Sequence, residues 1–520
     1  MLVLHTPIFA LMLLASTTSL YVMIRVVYNI FLHPLREYPG PLAWRATRLT
    51  WVLALQRGYL HRDLLALHDK YGPIVRIAPD ELSYVDPRAW KDIYIGTLGG
   101  SARPSHAHGR APIERNGVWF RKQRADEPDS IMGNNEEAHA RFRRAFMGAF
   151  SERAVRGQTP LIEKYVALMV QKFRAMVDDG DDSGGDPAAV VDIVSWLNFV
   201  TFDISADLSF GESFGSTEQG RPHPWVEIAC RFGKGIALVA SLNYFAPLQK
   251  VLRYTMPKGV REKMIYHREL SVRKVRQRLQ LQGERADFVQ AVLNYNADRE
   301  KSKCESEKVT PQELEVNMSV FVFAGSETSS TAMAAVLFGL LNSPSPMARV
   351  TAEIRSAFQR EEDIDVAGVA GLEYLTAVIN EGLRLGPPSA VTVPRVVPAS
   401  GEAICGRWVP GGTFVTVNQY PAFRSAANFS NPHEYIPERF LPAETPSPTD
   451  NLAAFNPFLV GRHMCIGQKF AWAEMRLILA RLLYAFDISW NVAPRIKDWG
   501  EQQTFIFWQK DPLLIRLKPR

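Results

Sequence analysis

The chain has 520 residues, 47% of them hydrophobic and 22% charged, with a net charge of +6. That balance supports a large globular core and excludes a disordered or collagen-like chain; so small a charge excess gives no argument for nucleic acid. Four cysteines, Cys230, Cys304, Cys405 and Cys465, lie far apart, which disfavours a disulfide framework or zinc cluster and fits a reducing compartment. No Gly-x-Gly-x-x-Gly follows a strand pattern, so no dinucleotide-binding fold is expected.

Residues 2–24 are uncharged and mostly apolar, long enough for a membrane-spanning helix. No Lys or Arg precedes the run, whereas Arg25 and Arg36 follow it, which puts the body on the cytosolic side. A cleaved signal peptide is the competing reading, and the missing basic leader argues against it. Residues 1–30 are therefore read as an anchor and 46–520 as one domain. Between them, 31–45 carry Pro34, Pro39 and Pro41 and read as a stiff hinge, because proline fixes φ and blocks helix.

Further on, 74–78 and 82–85 read as strands around a Pro79-Asp80-Glu81 turn. Asp86-Pro87 opens a helix with Trp90, Ile93 and Tyr94 on its apolar face. Residues 98–133 lack periodicity and read as a long loop. After Glu136 and Glu137, His139 and Arg143 lie one turn apart on a helix face; a solvated basic helix is the alternative. Residues 178–186 are rich in Asp and Gly but lack the closing Glu of a calcium loop. The stretch 196–210 reads as a core helix, and the Lys- and Arg-dense 250–285 as solvated helix faces.

Thr310-Pro311-Gln312-Glu313 has the form of a capping box and starts a helix that runs to about Asn342. Its middle reads Phe323-Ala324-Gly325-Ser326-Glu327-Thr328-Ser329. A helical glycine costs about 1 kcal/mol against alanine, and close approach of a flat cofactor would justify Gly325. Thr328 can bond back to the Ala324 carbonyl and bend the helix, leaving a pocket; a solvent-facing position is the alternative for Glu327. On the helix expected over 372–385, Glu381 and Arg384 can meet at i, i+3. Strands follow at 391–395 and 403–417, with turns at Gly406 and Pro410-Gly411-Gly412. Finally, Cys465 stands between Gly461 and Gly467 at the start of an apolar helical pattern over 466–486. The helix dipole there lowers a thiol's pKa and makes a thiolate ligand or nucleophile available; a buried small hydrophobe is the bland alternative.

Together these stretches resemble the cytochrome P-450 family. Phe458, Gly461, Cys465 and Gly467 match its Phe-x-x-Gly-x-Arg-x-Cys-x-Gly haem loop; His463 stands where the arginine falls, and Arg462 is displaced by one. Ala324-Gly325-x-Glu327-Thr328 resembles its Ala/Gly-Gly-x-Asp/Glu-Thr helix. Glu381-x-x-Arg384 with Pro437-Glu438-Arg439-Phe440 resembles its ion-pair network, and His139-x-x-x-Arg143 its propionate-binding element. The resemblance implies a mainly α fold with a minor β-region behind an N-terminal transmembrane helix, 46–520 being a haem-thiolate catalytic domain. It implies haem b on the Cys465 thiolate, propionate contacts from His139, Arg143 and His463, and close approach of haem at Phe458, Gly461, Gly467 and Gly325. It further implies proton delivery by Glu327 and Thr328 to the side where dioxygen is activated, and a structural role for Glu381, Arg384 and Arg439. Val391, Thr392, Val393 and 504–507 would face the distal pocket, and 98–133 would cover it.

The implied reaction inserts one oxygen atom from O2 into a C–H or C=C bond of a lipophilic small molecule. Electrons would come from an NADPH-dependent flavoprotein reductase at the endoplasmic reticulum membrane, docked on Arg141, Arg144, Arg462 and Lys469. Tyr71-Gly72-Pro73, Pro79-Asp80-Glu81-Leu82-Ser83 and Ala89-Trp90-Lys91-Asp92-Ile93-Tyr94 look most like fungal secondary-metabolism members, which implies terpenoid or polyketide-derived substrates. Two alternatives are a haem-thiolate isomerase or dehydratase needing no external electrons, and a non-enzymatic membrane haem-binding or sensor protein.

Overall fold

The computed structural model describes residues 2–96, 113–122, 127–133, 135–180, 188–245, 258–281, 284–442 and 449–520. The apolar N-terminal run forms the anchor helix, Leu2–Val27. Within it and just beyond, Phe9–Leu32 is long and apolar enough to cross a membrane, and its most apolar stretch is not buried against the body. Residues 31–45 do not hinge freely. Leu35 and Tyr38 are buried, and the Tyr38 hydroxyl donates to the Trp408 carbonyl at 2.8 Å. Asn29 donates to the Ala46 carbonyl at 2.9 Å, and the Arg76 N–H to the Pro39 carbonyl at 2.7 Å. The prolines block helix, as expected, but the backbone groups they free find partners on the body, so the segment is stapled down.

The expected first hairpin forms from β1 (Ile74–Ala78) and β2 (Glu81–Tyr84). Then come β3 (Glu114–Arg115), β4 (Ala189–Asp192), β5 (Arg395–Val396), β6 (Glu402–Ile404), β7 (Arg407–Val409), β8 (Phe414–Val417), β9 (Phe486–Trp490) and β10 (Leu514–Pro519). They make a five-stranded sheet in the order β1-β2-β8-β5-β3, a three-stranded sheet β4-β10-β9, and the β6-β7 hairpin. The strand expected over 391–395 shrinks to β5. Pro394 has no N–H for a ladder, and the Thr392 N–H is taken by Asn418 Oδ1 at 3.0 Å. Much of the loop expected over 98–133 lies outside the described residues, as do most of 178–186 and part of 250–285; the described part of the first contains β3.

Helices form the bulk of the core. The long helix, Pro311–Leu341, starts with the expected capping box: Thr310 accepts from Glu313 N, and Glu313 reaches back to the Thr310 N–H. It packs along Ile193–Phe210 in the main apolar cluster. Thr201 and Ser326 cross-link the two, each hydroxyl donating to the other residue's carbonyl, at 3.2 and 3.0 Å. The C-terminal helix, Gln468–Ala485, lies against the long helix and starts two residues later than the apolar pattern suggests.

The helix Glu373–Leu385 carries the expected ion pair on its buried face. Arg384 grips Glu381 with two hydrogen bonds, 2.7 and 2.8 Å long. It also donates to the carbonyls of Phe423, Pro432 and Glu434. Arg439 donates to Glu381 at 3.4 Å and pairs with Asp450, a member the sequence did not point to. Two acids and two bases make the cluster neutral, and all four side chains are fully buried. Removing one member would strand a buried charge, a loss of roughly 3–5 kcal/mol.

Glu474, on the C-terminal helix, is buried without a cation. Neither of its oxygens has a well-formed hydrogen bond among the described residues. Burial pushes its carboxyl up to about 8, against a smaller opposing effect of the Ser329 hydroxyl on the long helix. The folded state thus favours the proton, while the unfolded carboxyl titrates near about 4.3. Stability is therefore complete below that value and is lost as pH rises toward 8. We expect denaturant unfolding of the wild type to weaken across this window, by at most about 1.4 kcal/mol per pH unit. Glu474→Gln should flatten the dependence; parallel curves for the two proteins would assign the effect to another group.

Candidate functional site

The loop 458–467 is shaped by two left-handed residues, Leu459 (φ 59°) and Gly461 (φ 77°). It closes through Cys465 N–H to the Phe458 carbonyl, 2.8 Å, and Met464 N–H to the Gly461 carbonyl, 3.1 Å. Gly461 is needed here by the packing of the protein itself. A Cβ would sit 2.1 Å from the Tyr94 carbonyl oxygen, so the glycine admits a neighbouring backbone. At Gly467 a Cβ would meet only the Phe150 ring at 3.7 Å, an ordinary contact. The Phe458 ring lies 6.0 Å from Trp472.

Cys465 is accessible, although protein surrounds it. Desolvation pushes its thiol pKa up, against the Gly467 N–H and the Arg143 guanidinium. This reverses the sign expected from the helix dipole: the helix begins at Gln468, with Gly467 as its cap, and Cys465 lies short of it. A metal cation bonded to the sulfur is the kind of partner that restores the thiolate.

Beside this loop lies the helix Glu136–Phe146, capped by the Asn135 side chain. Its Arg143 donates to the Met464 carbonyl at 2.7 Å, so it braces the cysteine loop directly. His139 is buried, with its ring centroid 4.3 Å from that of His463. Arg395 of β5 contacts His463 Nδ1 at 2.9 Å. A guanidinium can only donate, so Nδ1 accepts and the ring proton sits on Nε2. His463 is therefore neutral, and burial among Arg115 and Arg395 agrees, holding its pKa down to about 3. The positive charge that the family's arginine would bring to position 463 is absent. His463 Nε2 lies 3.1 Å from Glu136 Oε1, yet the two are not aligned for a hydrogen bond and both remain unsatisfied. Desolvation works against the Glu136 charge, but His463, Arg462 and Arg115 outweigh it and hold the carboxyl at about 2.

The missing charge is supplied by two arginines that the sequence reading did not single out. Arg115 and Arg395 stand directly opposite each other in the β3–β5 register. Like charges so placed repel. Burial lowers both pKa values, Arg115 to about 9 with Arg395 adding to the effect. Arg395 is only 4% exposed, and its Nε has no partner among the described residues. Two orphaned donors, Arg395 Nε and His463 Nε2, beside a repelling guanidinium pair form an anion site. The two propionates of a haem fit it. Glu136, His139 and His463 also have the proximity of metal ligands, but arginines around them disfavour another cation. Arg395 could have been found: it is a lone cation in the apolar run Val391-Thr392-Val393-Pro394-Arg395-Val396-Val397. Arg115 and Glu136 carried no comparable signal.

On the long helix, Thr328 donates back to the Ala324 carbonyl at 2.6 Å, the bond expected there. Ala324 is exposed and Thr328 half-buried, so this face is open, and nearby Phe323 meets Phe507 edge to face at 4.7 Å. Gly325 points elsewhere. A Cβ on it would lie 2.9 Å from Ser205 Oγ, so the glycine lets two core helices touch. Glu327 is not solvent-facing: Lys510, a residue without a sequence signal, pairs with it at 2.7 Å, both side chains being buried. Arg141, expected on a docking face, is instead half-buried against Glu313.

The arrangement agrees with comparison to known proteins. The family model for cytochrome P-450 matches residues 39–515. The cytochrome P-450 monooxygenase astJ of Aspergillus oryzae is 40% identical over 498 residues, covering 95% of this chain and 94% of that relative. The versicolorin B desaturase stcL of Emericella nidulans is 38% identical over 98% of each chain. The averantin hydroxylase of Dothistroma septosporum is 37% identical over 96% of this chain and 90% of its own length. A match from the first β-strand to the last, on a mainly helical body carrying the cysteine loop and the buried Glu381–Arg384 pair, leaves one conclusion: the chain belongs to the cytochrome P-450 family, whose members are haem b monooxygenases.

Proposed function

We propose that Cys465 is the proximal thiolate ligand of haem b, and that Arg395 and Arg115, with His463 and His139, receive the propionates. The observation that carries this is the enclosed yet accessible Cys465 sulfur beside an opposed arginine pair, Arg395 buried and Arg115 half-buried. When bound, the haem would activate dioxygen, the source of the inserted oxygen atom, and the Cys465 thiolate would favour O–O cleavage. The chain's own residues do the rest. Arg143 holds the Met464 carbonyl and so fixes the loop that carries the ligand. Thr328 and Glu327 hold protons on the distal side, as general acids acting through hydroxyl and water. Phe323 and Phe507 form an apolar wall that excludes bulk water and favours a lipophilic substrate. Glu381, Arg384 and Arg439 keep the segment before the loop in place.

We infer hydroxylation, epoxidation or desaturation of a fungal secondary metabolite, terpenoid or polyketide-derived. Relatives named as a desaturase and a hydroxylase support that range. Electrons come from an NADPH-dependent flavoprotein reductase docked over the exposed Arg144 and Lys469, whose salt bridges to Glu307 and Glu152 are exposed and readily exchanged. The anchor helix holds the protein in the endoplasmic reticulum membrane as a single pass, with the catalytic body in the cytosol; Arg25 at its inner end supports that orientation.

The reduced, carbon-monoxide-bound protein should show a thiolate-type Soret band that vanishes in Cys465→Ala. Its absence from well-folded, haem-loaded wild type would overturn the assignment. For the propionate site, Arg395→Leu should weaken haem retention about tenfold or more, the scale of a lost charge-assisted hydrogen bond. His463→Ala should cost less, since His463 brings no charge. Competition for haem by apomyoglobin measures both, and equal retention in wild type and Arg395→Leu would remove Arg395 from the site.

A further inference from the structure

The helix Pro224–Asn243 carries Gly233-Lys234-Gly235 in its middle. Glycine is a poor helix former, so two of them here need a reason. Elsewhere in the core, packing supplies one: a Cβ at Gly339 or Gly382 would lie 2.3 Å from Tyr435 or Val336. Packing supplies none here. A Cβ at Gly233 would meet Phe507 at 3.9 Å, an ordinary contact, and one at Gly235 would meet nothing within 4 Å among the described residues.

Gly233 and Lys234 stand beside two rings of one turn. Phe507, next to Gly233, meets Phe323 at the open face of the long helix, where Ala324 is exposed and Thr328 half-buried. Phe505 lies under Lys234, whose Nζ is 5.0 Å from the ring centroid. Phe505 is itself only 5% exposed and belongs to an apolar cluster with Trp119 and Ala237, against which Val391 and Val393 pack. Lys234 is exposed, and among the described residues no carboxylate forms a salt bridge with it. A ring face attracts an ammonium through its quadrupole but leaves its three N–H groups without an oxygen acceptor. The lysine is thus folded back onto the rim of the aromatic wall, with hydrogen bonds still to give.

We propose that Lys234 is a specificity-determining residue: its ammonium receives an acidic oxygen carried by a flat aromatic substrate that lies across the bare backbone of Gly233 and the Phe507 ring. A flat ring keeps contact over its whole face, whereas a puckered saturated ring touches only through projecting hydrogens. A side chain at position 233 would project into the same place. Aromatic polyketides carry phenol and carboxyl groups on flat rings; terpenoids are largely saturated and neutral. The substrate class therefore narrows to acidic aromatic polyketides. The inference rests on the proposed haem-thiolate reading for the oxidation that follows binding, and on the protein's own side chains for the recognition.

The test uses full-length, haem-loaded protein in detergent and three probes: β-naphthoate, its uncharged amide, and the saturated decalin carboxylate. Equilibrium dialysis gives the affinities, and the Soret band reports whether a probe reaches the haem. Wild type should bind β-naphthoate about fivefold or more tighter than either other probe, the scale of one charge-assisted hydrogen bond at a partly exposed site. Lys234→Met should remove the preference over the amide and leave the affinity for the amide unchanged, while Lys234→Arg should keep the preference. Gly233→Val should weaken both flat probes about fivefold with no loss in the denaturant midpoint, which a purely structural glycine would not do. No saturable binding of β-naphthoate to wild type, an unchanged preference in Lys234→Met, or an equal loss for the amide there would each overturn the role of Lys234. Equally tight binding of the decalin carboxylate would overturn the flat aromatic class. A wild type without a thiolate-type carbon monoxide complex would overturn the haem assignment instead, and dialysis would still decide the recognition.

Discussion

The neutral cluster of Glu381, Arg384, Arg439 and Asp450 is the constraint on which the site depends. Four ionised groups without water would be costly one by one; two of each sign, hydrogen-bonded on nearly every polar atom, compensate one another. Because Arg384 and Arg439 also bind the carbonyls of Phe423, Asn431, Pro432 and Glu434, they pin a stretch that has no regular ladder of its own. That stretch leads to the cysteine loop, whose approach is held further on by Trp90 on the Ala454 carbonyl and Gln419 on those of Asn456 and Pro457. The rigidity of the sulfur's position is thus inherited from an ion cluster well before it in sequence.

The opposed Arg115 and Arg395 follow the contrary rule. Repulsion across two paired residues, an orphaned Nε and an orphaned His463 Nε2 all oppose folding of the isolated chain. Part of the chain's polar dissatisfaction lies where an anion is meant to arrive, whereas the scaffold cluster is self-sufficient. Consistency of the fold breaks locally at the site, the usual signature of function.

What was legible in the sequence follows from distance along it. The capping box of Thr310 and Glu313, the Glu381–Arg384 pair and the Thr328 back-bond join residues three or four apart, so spacing alone exposes them. The partners of Arg439, Glu136 and Glu327 come from Asp450, Arg462 and Lys510, and nothing local announces the last two. Glycines were half legible. At Gly325 and Gly461 the need for a small residue could be read, but not the protein neighbours that impose it, Ser205 and the Tyr94 carbonyl. The sign of the Cys465 shift failed for a related reason, since burial depends on the whole fold and outweighed the helix terminus.

The long helix brings these themes together, because it meets two buried carboxyl groups with opposite surroundings. Glu327 faces Lys510 and hydroxyl groups, which compensate a negative charge. Glu474, reaching Ser329 from the C-terminal helix, has no cation and is pushed toward its neutral form. Thr328 lies between positions 327 and 329, so the helix has a charged side and a neutral side at the turn that bends. Identical side-chain chemistry is divided by environment alone. The charged side is tied to the C-terminal turn that walls the pocket, while the neutral side is packed into the core. Glu327 is thus the carboxyl linked to the pocket wall, and Glu474 the one enclosed in the core.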